Sequence, residues 1–132
     1  MGRLHIRLIL EWIKEGYIMI KIEAIIREEK MEDVKAALSE INVNGITIYQ
    51  VMGCGAQKGY VEVIRGTKVD MAVRPKVKFE IVVSCEEMEE KVISTIQKAG
   101  FTGNVGDGKI FSYELRNVMR IRTKEKGYEA LN

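Results

Sequence analysis

Ile20-Lys-Ile-Glu-Ala-Ile-Ile26 returns 57 residues later as Val77-Lys-Phe-Glu-Ile-Val-Val83, matched in residue or character at every position. Runs rich in β-branched residues, with charges set between them, have the pattern of strands whose two faces differ. The match continues into acidic segments, Met31-Glu32-Asp33 and Met88-Glu89-Glu90. Beyond these, Met31, Val34, Leu38 and Ile41 fall on one helical face, as do Met88, Val92, Thr95 and Ile96 in the second copy. The unit is a strand followed by a helix, made twice.

Each helix is followed by a turn and a further β-rich stretch. Asn42 to Gly45 turns into Ile46–Met52, and the glycine-rich Gly100–Gly108 leads into Lys109–Leu115. The order predicts an α+β fold, a ferredoxin-like βαββαβ sandwich with an antiparallel sheet and two helices on one of its faces. The other face carries Ile20 and Ile22, or their neighbours in the alternation. A homo-oligomer stacking sheets around an axis would cover it economically. Between the second and third strands, Gly53 to Lys76 has no helical pattern and is longer than an incidental connection, so a functional long loop at about 54–75 is expected. Within it, the alternation Tyr60-Val-Glu-Val-Ile64 reads alternatively as half of a hairpin.

At 132 residues the chain has room for one core, and its 46% hydrophobic and 30% charged residues are those of a folded domain. The 21 basic and 19 acidic side chains leave little of the basic excess that phosphate-led nucleic-acid binding needs. Cys54 and Cys85 make neither a disulfide framework nor a pair of metal knuckles, and the single histidine, His5, cannot build a histidine metal site. Cys54 reads as a small buried hydrophobe, since no histidine stands in the domain to activate it as a nucleophile. The chain reads as reduced and cytoplasmic.

Residues 1–18 form a separate N-terminal extension, with the domain running over 19–132. Leu4, Ile6, Leu8, Ile9, Trp12 and Ile13 drift between the periods of strand and helix, and no run is long enough to span a bilayer. Lys14-Glu15-Gly16 is also encodable as AAG GAG GGN, a ribosome-binding signal just upstream of Met19, so a translated leader stands beside an accessory helix and a membrane-surface anchor. Arg3, Arg7 and Lys14 are few for firm lipid binding.

Three motifs carry candidate chemistry. Gly103-Asn-Val-Gly-Asp-Gly-Lys109 has the GxxxxGK spacing of a phosphate loop, but Ile110 follows where magnesium-binding Ser or Thr is required, and the next residues read as strand rather than helix. It is either a glycine cradle for a polyphosphate, with Lys109 as a point charge, or a plain glycine turn. Arg120-Ile-Arg122 alternates two cations on one face of a strand, suited to phosphate oxygens or to a solvated edge. Gly53-Cys-Gly-Ala-Gln-Lys-Gly59 opens the long loop as a binding hinge or a mobile tether.

Together with Gly45-Ile-Thr47, Arg65-Gly66, Pro75-Lys-Val-Lys-Phe-Glu-Ile-Val-Val83 and Arg120-Ile-Arg-Thr123, these blocks stand in an order and spacing that resembles the PII nitrogen-regulatory signal-transduction family, over nearly the whole chain after Met19. The resemblance implies a non-enzymatic homotrimer with ATP or ADP in clefts between neighbours. It implies nucleotide contacts at Gly45, Thr47, Gly53, Cys54, Gly55, Gln57, Glu80, Val82, Gly103, Gly106, Asp107, Gly108 and Lys109. In that scheme Arg120 and Arg122 reach the phosphates from the adjacent subunit. It further implies Mg2+ on Gln57 with ATP, and 2-oxoglutarate held by Gln57, Lys58, Gly59 and Lys76. Arg65, Gly66 and Thr67 are implied at the target-binding loop, which would engage an ammonium transporter or nitrogen-assimilation enzymes and regulators. A PII-like trimer tuned to another ligand and a small nucleotide hydrolase are the alternatives.

Four positions depart from the family pattern. Ala56 replaces a phosphate-contacting Arg, leaving the ATP over ADP preference open. Val69 replaces a modifiable loop tyrosine, Thr67 stands where some relatives have a phosphorylated Ser, and Lys124 replaces the Gly common after Arg-Thr.

Overall fold

A computed structural model describes residues 18–43, 45–56, 62–64, 67–69 and 71–131. Its strands are β1 (Ile20–Arg27), β2 (Ile46–Ala56), β3 (Glu62–Ile64), β4 (Thr67–Val69), β5 (Met71–Val83) and β6 (Lys109–Glu114). Helices α1 (Met31–Glu40) and α2 (Glu86–Gly100) follow β1 and β5, and a 3-10 turn, Gly127–Leu131, lies near the C-terminus.

The two duplicated runs become adjacent antiparallel strands, paired from Ile20↔Val83 to Arg27↔Lys76, at the centre of a sheet ordered β2-β5-β1-β6. This is the ferredoxin-like arrangement expected from the order of elements. Strand alternation sends Ile20, Ile22, Ala24 and Ile26 to one face of β1, and Val77, Phe79, Ile81 and Val83 to the same face of β5, where all are buried. The helices close that face with Val34, Leu38, Val92 and Ile96. Each such aliphatic or aromatic side chain contributes about 1.5–3 kcal/mol on leaving water. Met31, Ile41 and Met88 pack at the margin of this core. Thr95 instead turns its hydroxyl back to the Lys91 carbonyl oxygen at 2.7 Å. Glu86, Glu87 and Glu89 in the first turn of α2, and Lys98 in its last, suit the helix dipole.

The alternation leaves the neighbours of Ile20 and Ile22 on the open face, and they are charged. Two matching clusters form there. Tyr49 donates its hydroxyl to Glu80 at 2.6 Å and Lys21 stands 3.3 Å from the same carboxylate. Tyr113 donates to Glu23 at 2.9 Å, with Lys78 at 3.2 Å. Lys21 and Glu23 of the first copy correspond to Lys78 and Glu80 of the second, and each carboxylate pairs with the other copy's lysine. The duplication seen in the sequence is thus a pseudo-two-fold relation in the sheet.

Three expectations are corrected. Pairing of β2 with β5 does not stop at Met52 but runs unbroken to Ala56↔Met71, so the segment expected to be loop from residue 54 begins and ends as a two-stranded ribbon. Inside it Glu62–Ile64 pairs with Thr67–Val69, the hairpin reading of the 60–64 alternation. Cys54, expected to be buried, is exposed, because the ribbon has run beyond the helices that would cover it. Arg120 to Arg122 is not strand: Met119 bridges Lys126 across a turn in which Lys124 is left-handed, at φ 62°.

Residues 1–17 lie outside the described residues, whereas Ile18 packs against the core and the Met19 carbonyl accepts from the Leu115 N–H at 2.7 Å. Among the described residues no helix is long and apolar enough to cross a membrane.

Candidate functional site

The glycine-rich segment before β6 is a built loop rather than a slack turn. Gly103, Gly106 and Gly108 hold φ of +87°, +105° and +100°, values open to glycine and strained for other residues. At Gly108 a side chain is excluded outright, because a Cβ would lie 1.8 Å from the Ile25 carbonyl oxygen. That close approach sets the loop directly on the end of β1, where Lys109 begins the β1–β6 ladder opposite Ile25.

Asp107 organises the loop from within. Its carboxylate accepts from the Thr102 and Gly103 N–H groups at 2.9 Å each, from the Thr102 hydroxyl, and from Arg27 Nε at 2.9 Å. The Arg27 guanidinium, then the Thr102 donors, hold this carboxyl well below the usual carboxylate range. A carboxylate so engaged shapes the loop from within. Two sheet cations flank Gly106. Arg27 Nη2 donates to the Val105 carbonyl at 2.7 Å, and Lys76 Nζ to the Gly106 carbonyl at 2.5 Å. Burial, then the neighbouring Arg27 charge, lower the Lys76 pKa. The stem of Lys76 covers Gly53, whose added Cβ would stand 3.0 Å from Lys76 Cγ, so the glycine-rich loop and the base of the ribbon touch through one side chain.

The other predicted contacts gather elsewhere. Gly45, Thr47, Glu80 and Val82 line an open cleft of about 840 Å³ together with Lys21, Asn42, Met88, Ala130 and Leu131. Asp107, Gly108 and Lys109 line a separate cleft of about 320 Å³ against Ile25, Ile96 and Phe101. Glu80 is held ionised below its ordinary value by the Tyr49 hydrogen bond, then by Lys21. Arg120 reaches Glu125 at 3.0 Å and the Ala130 carbonyl at 3.3 Å, which ties the C-terminal turn to the larger cleft, while Arg122 is exposed. Gly53 and Cys54 lie on the ribbon, and Gly55 continues it in backbone pairing with Ala72. Gln57, Lys58, Gly59, Arg65 and Gly66 lie outside the described residues, and of Thr67 only its place in β4 is described.

Sequence reasoning missed Arg27 and the organising role of Thr102. The available signal for Arg27 was the end of the duplication: the copies match up to Ile26 and Val83, then part at Arg27 and Ser84.

The family described as Nitrogen regulatory protein P-II matches residues 19–125. The chain is 46% identical over 113 residues to a Nitrogen regulatory protein P-II of Azospirillum brasilense, an alignment covering 86% of this chain and all of that one. It is 44% identical over 110 residues to Nitrogen regulatory protein GlnK of Escherichia coli K12, covering 83% of this chain and 97% of the relative. The structure of a B. subtilis GlnK–ATP complex superposes with a TM-score of 0.71 at 40% identity, covering 88% of this chain and 99% of that one. The duplicated βαβ units, the glycine loop set on β1 and identities well above 30% over nearly the whole length of these relatives lead to one assignment: the chain belongs to the PII family of nitrogen regulatory proteins, which are non-enzymatic signalling proteins.

Proposed function

We propose that the chain acts as a cytoplasmic homotrimeric sensor of ATP or ADP and 2-oxoglutarate, each nucleotide being shared by two copies. The observation that carries this reading is the separation of the two half-sites. Thr47 lies on β2, one edge strand of the sheet, and Lys109 begins β6, the other edge. Three strand spacings, roughly 14 Å, separate those edges. Between them the open face is taken up by the Lys21, Glu23, Lys78 and Glu80 ion pairs. Apposing the β2 side of one copy to the phosphate loop of another joins the nucleoside cleft to the glycine cradle without crossing that face. Arg120 supports the same pairing, since it is anchored to Ala130 beside the nucleoside cleft and would approach phosphates held by a neighbour's loop.

The cradle fits a polyphosphate. Left-handed glycines expose backbone N–H groups, and Lys109 and Lys76 supply positive charge. With Mg2+ held through Gln57, the bound nucleotide would present oxygen ligands that suit the oxo acid, and Lys76, whose Nζ lies beside Gly106, would meet its carboxylate. Residues 57–70, carrying Arg65, Gly66 and Thr67, would then engage an ammonium transporter or nitrogen-assimilation proteins, since ligands select loop states by differential affinity. The functional domain begins at about Met19. Calorimetric titration tests the reading: ATP binds saturably without turnover, and 2-oxoglutarate binds only with MgATP present. Light scattering gives a trimer. A monomer binding ATP normally, or tight 2-oxoglutarate binding without nucleotide, refutes it.

A further inference from the structure

Resting on the reading that Gly103–Lys109 holds nucleotide phosphates, we propose that Arg27 is a positioning residue that aims the backbone N–H groups of Gly106 and Asp107 at the bound anion. The argument starts from the peptide plane. In a trans peptide the C=O and N–H point to opposite sides, and the described peptides are trans. The Val105 carbonyl is drawn toward the sheet by Arg27 Nη2 at 2.7 Å, so the N–H of the same peptide, that of Gly106, is turned away from the sheet. Lys76 does the same one residue on: its Nζ holds the Gly106 carbonyl at 2.5 Å and turns the Asp107 N–H outward.

Two successive amides facing one way form an anion nest. Arg27 alone braces it at two points, because Nε also holds Asp107 Oδ1 at 2.9 Å. Gly106 sits beneath the guanidinium, its added Cβ 3.2 Å from Nη2, so the loop and the arginine are fitted to each other. A planar fork with donors at fixed angles can hold a carbonyl and a carboxylate together, a task for which the point charge of a lysine is poorly shaped. The arginine thereby acts on phosphate through the backbone it orients, with its own charge engaged by Asp107.

The test compares Arg27→Gln and Arg27→Lys with the parent chain by titration with ATP and with adenosine, alongside amide hydrogen exchange of Gly106 and Asp107 in the unliganded protein. Loss of a charge-assisted brace corresponds to at least about a tenfold change in affinity. The expected result is that both variants lose about tenfold or more for ATP, keep adenosine within about twofold, and exchange those two amides faster. Full rescue of ATP affinity by Arg27→Lys overturns the proposal, because charge alone would then suffice. Equal ATP affinity in Arg27→Gln overturns it, and so does an equal loss for ATP and adenosine. Unchanged exchange in a folded variant overturns it independently of any nucleotide. A parent chain that binds no ATP refutes instead the nucleotide reading of the loop, so the two failures are separable.

Discussion

Replacing Gly108 by Ala perturbs the most tightly constrained backbone of the glycine-rich loop. The new Cβ would stand 1.8 Å from the Ile25 carbonyl oxygen and 2.8 Å from its carbon. Both are main-chain atoms of a strand paired on its two sides, so no rotamer change relieves the contact. Reaching ordinary contact at 3.4 Å requires the two backbones to part by about 1.6 Å, which opens the ladder at Ile25↔Lys109. Left-handed strain at φ +100° costs about 1–3 kcal/mol, and each ladder hydrogen bond lost adds about 0.5–1.5 kcal/mol. The total is roughly 3 kcal/mol, which in a domain of this size lowers Tm by on the order of 10 °C. Gly127→Ala is the control for strain alone: its φ is +66° and an added Cβ meets nothing within 4 Å, so about 1 kcal/mol is expected. Gly106→Ala falls between, because its Cβ meets the mobile end of Arg27 rather than backbone. Thermal unfolding followed by circular dichroism, at one fixed protein concentration because assembly shifts Tm, ranks the three. A Gly108→Ala protein melting within about 2 °C of Gly127→Ala would show that β1 and the loop yield freely and that the clash was misjudged.

Lys124→Gly removes a left-handed non-glycine residue; the relief of about 1–2 kcal/mol exceeds the added unfolded-state entropy of about 0.4–1 kcal/mol, so Tm should rise, and a fall refutes the strain. Glu23 and Glu80 have folded pKa values below the ordinary 4.5, so their stabilisation is present above that value and lost as pH falls through the depressed one. Tyr49→Phe with Tyr113→Phe removes the largest cause of each depression, and urea titrations should show a smaller stability loss between neutral and acid pH than in the parent chain. Arg120→Ala with Arg122→Ala should weaken ATP binding while light scattering still gives the trimer, since Arg122 is exposed and half-buried Arg120 bonds to Glu125 and Ala130 of its own C-terminal turn.

The fold was legible where burial writes a period into the sequence. Ile20, Ile22, Ala24 and Ile26 alternate because one face of β1 is covered, and Val34 with Leu38 recur at helical spacing because α1 covers it. The ribbon beyond Met52 was not legible, since Cys54 and the successive Val73 and Arg74 are exposed where alternation would bury some of them, and its residues include Gly53, Gly55 and Pro75. Pro75 is tolerated there because it precedes the first pair of β5 with β1, Arg27↔Lys76, and is matched only to β2. In the candidate site, glycine spacing marked the loop before β6, and positive φ at Gly103, Gly106 and Gly108 accounts for that spacing. What spacing could not convey is direction: Asp107 turns inward to Thr102 and Arg27, a partner 80 residues away in the chain. Arg120 and Arg122 were visible as a pair, but the turn that carries them depends on Lys124 adopting a conformation that its residue type disfavours.

The unbroken pairing from Ile46↔Ile81 to Ala56↔Met71 fixes where residues 57–70 leave the sheet and where they return. Those two points are one rung apart, about 5 Å. Any insert whose ends meet that gap fits the same socket, and closure entropy penalises length only logarithmically, by about 0.6 kcal/mol for each doubling. The segment between those two points is therefore an exchangeable cassette: its sequence and length can be rewritten, by selection or by grafting, while Lys76, Gly106 and the rung that carries Gly53 stay in place.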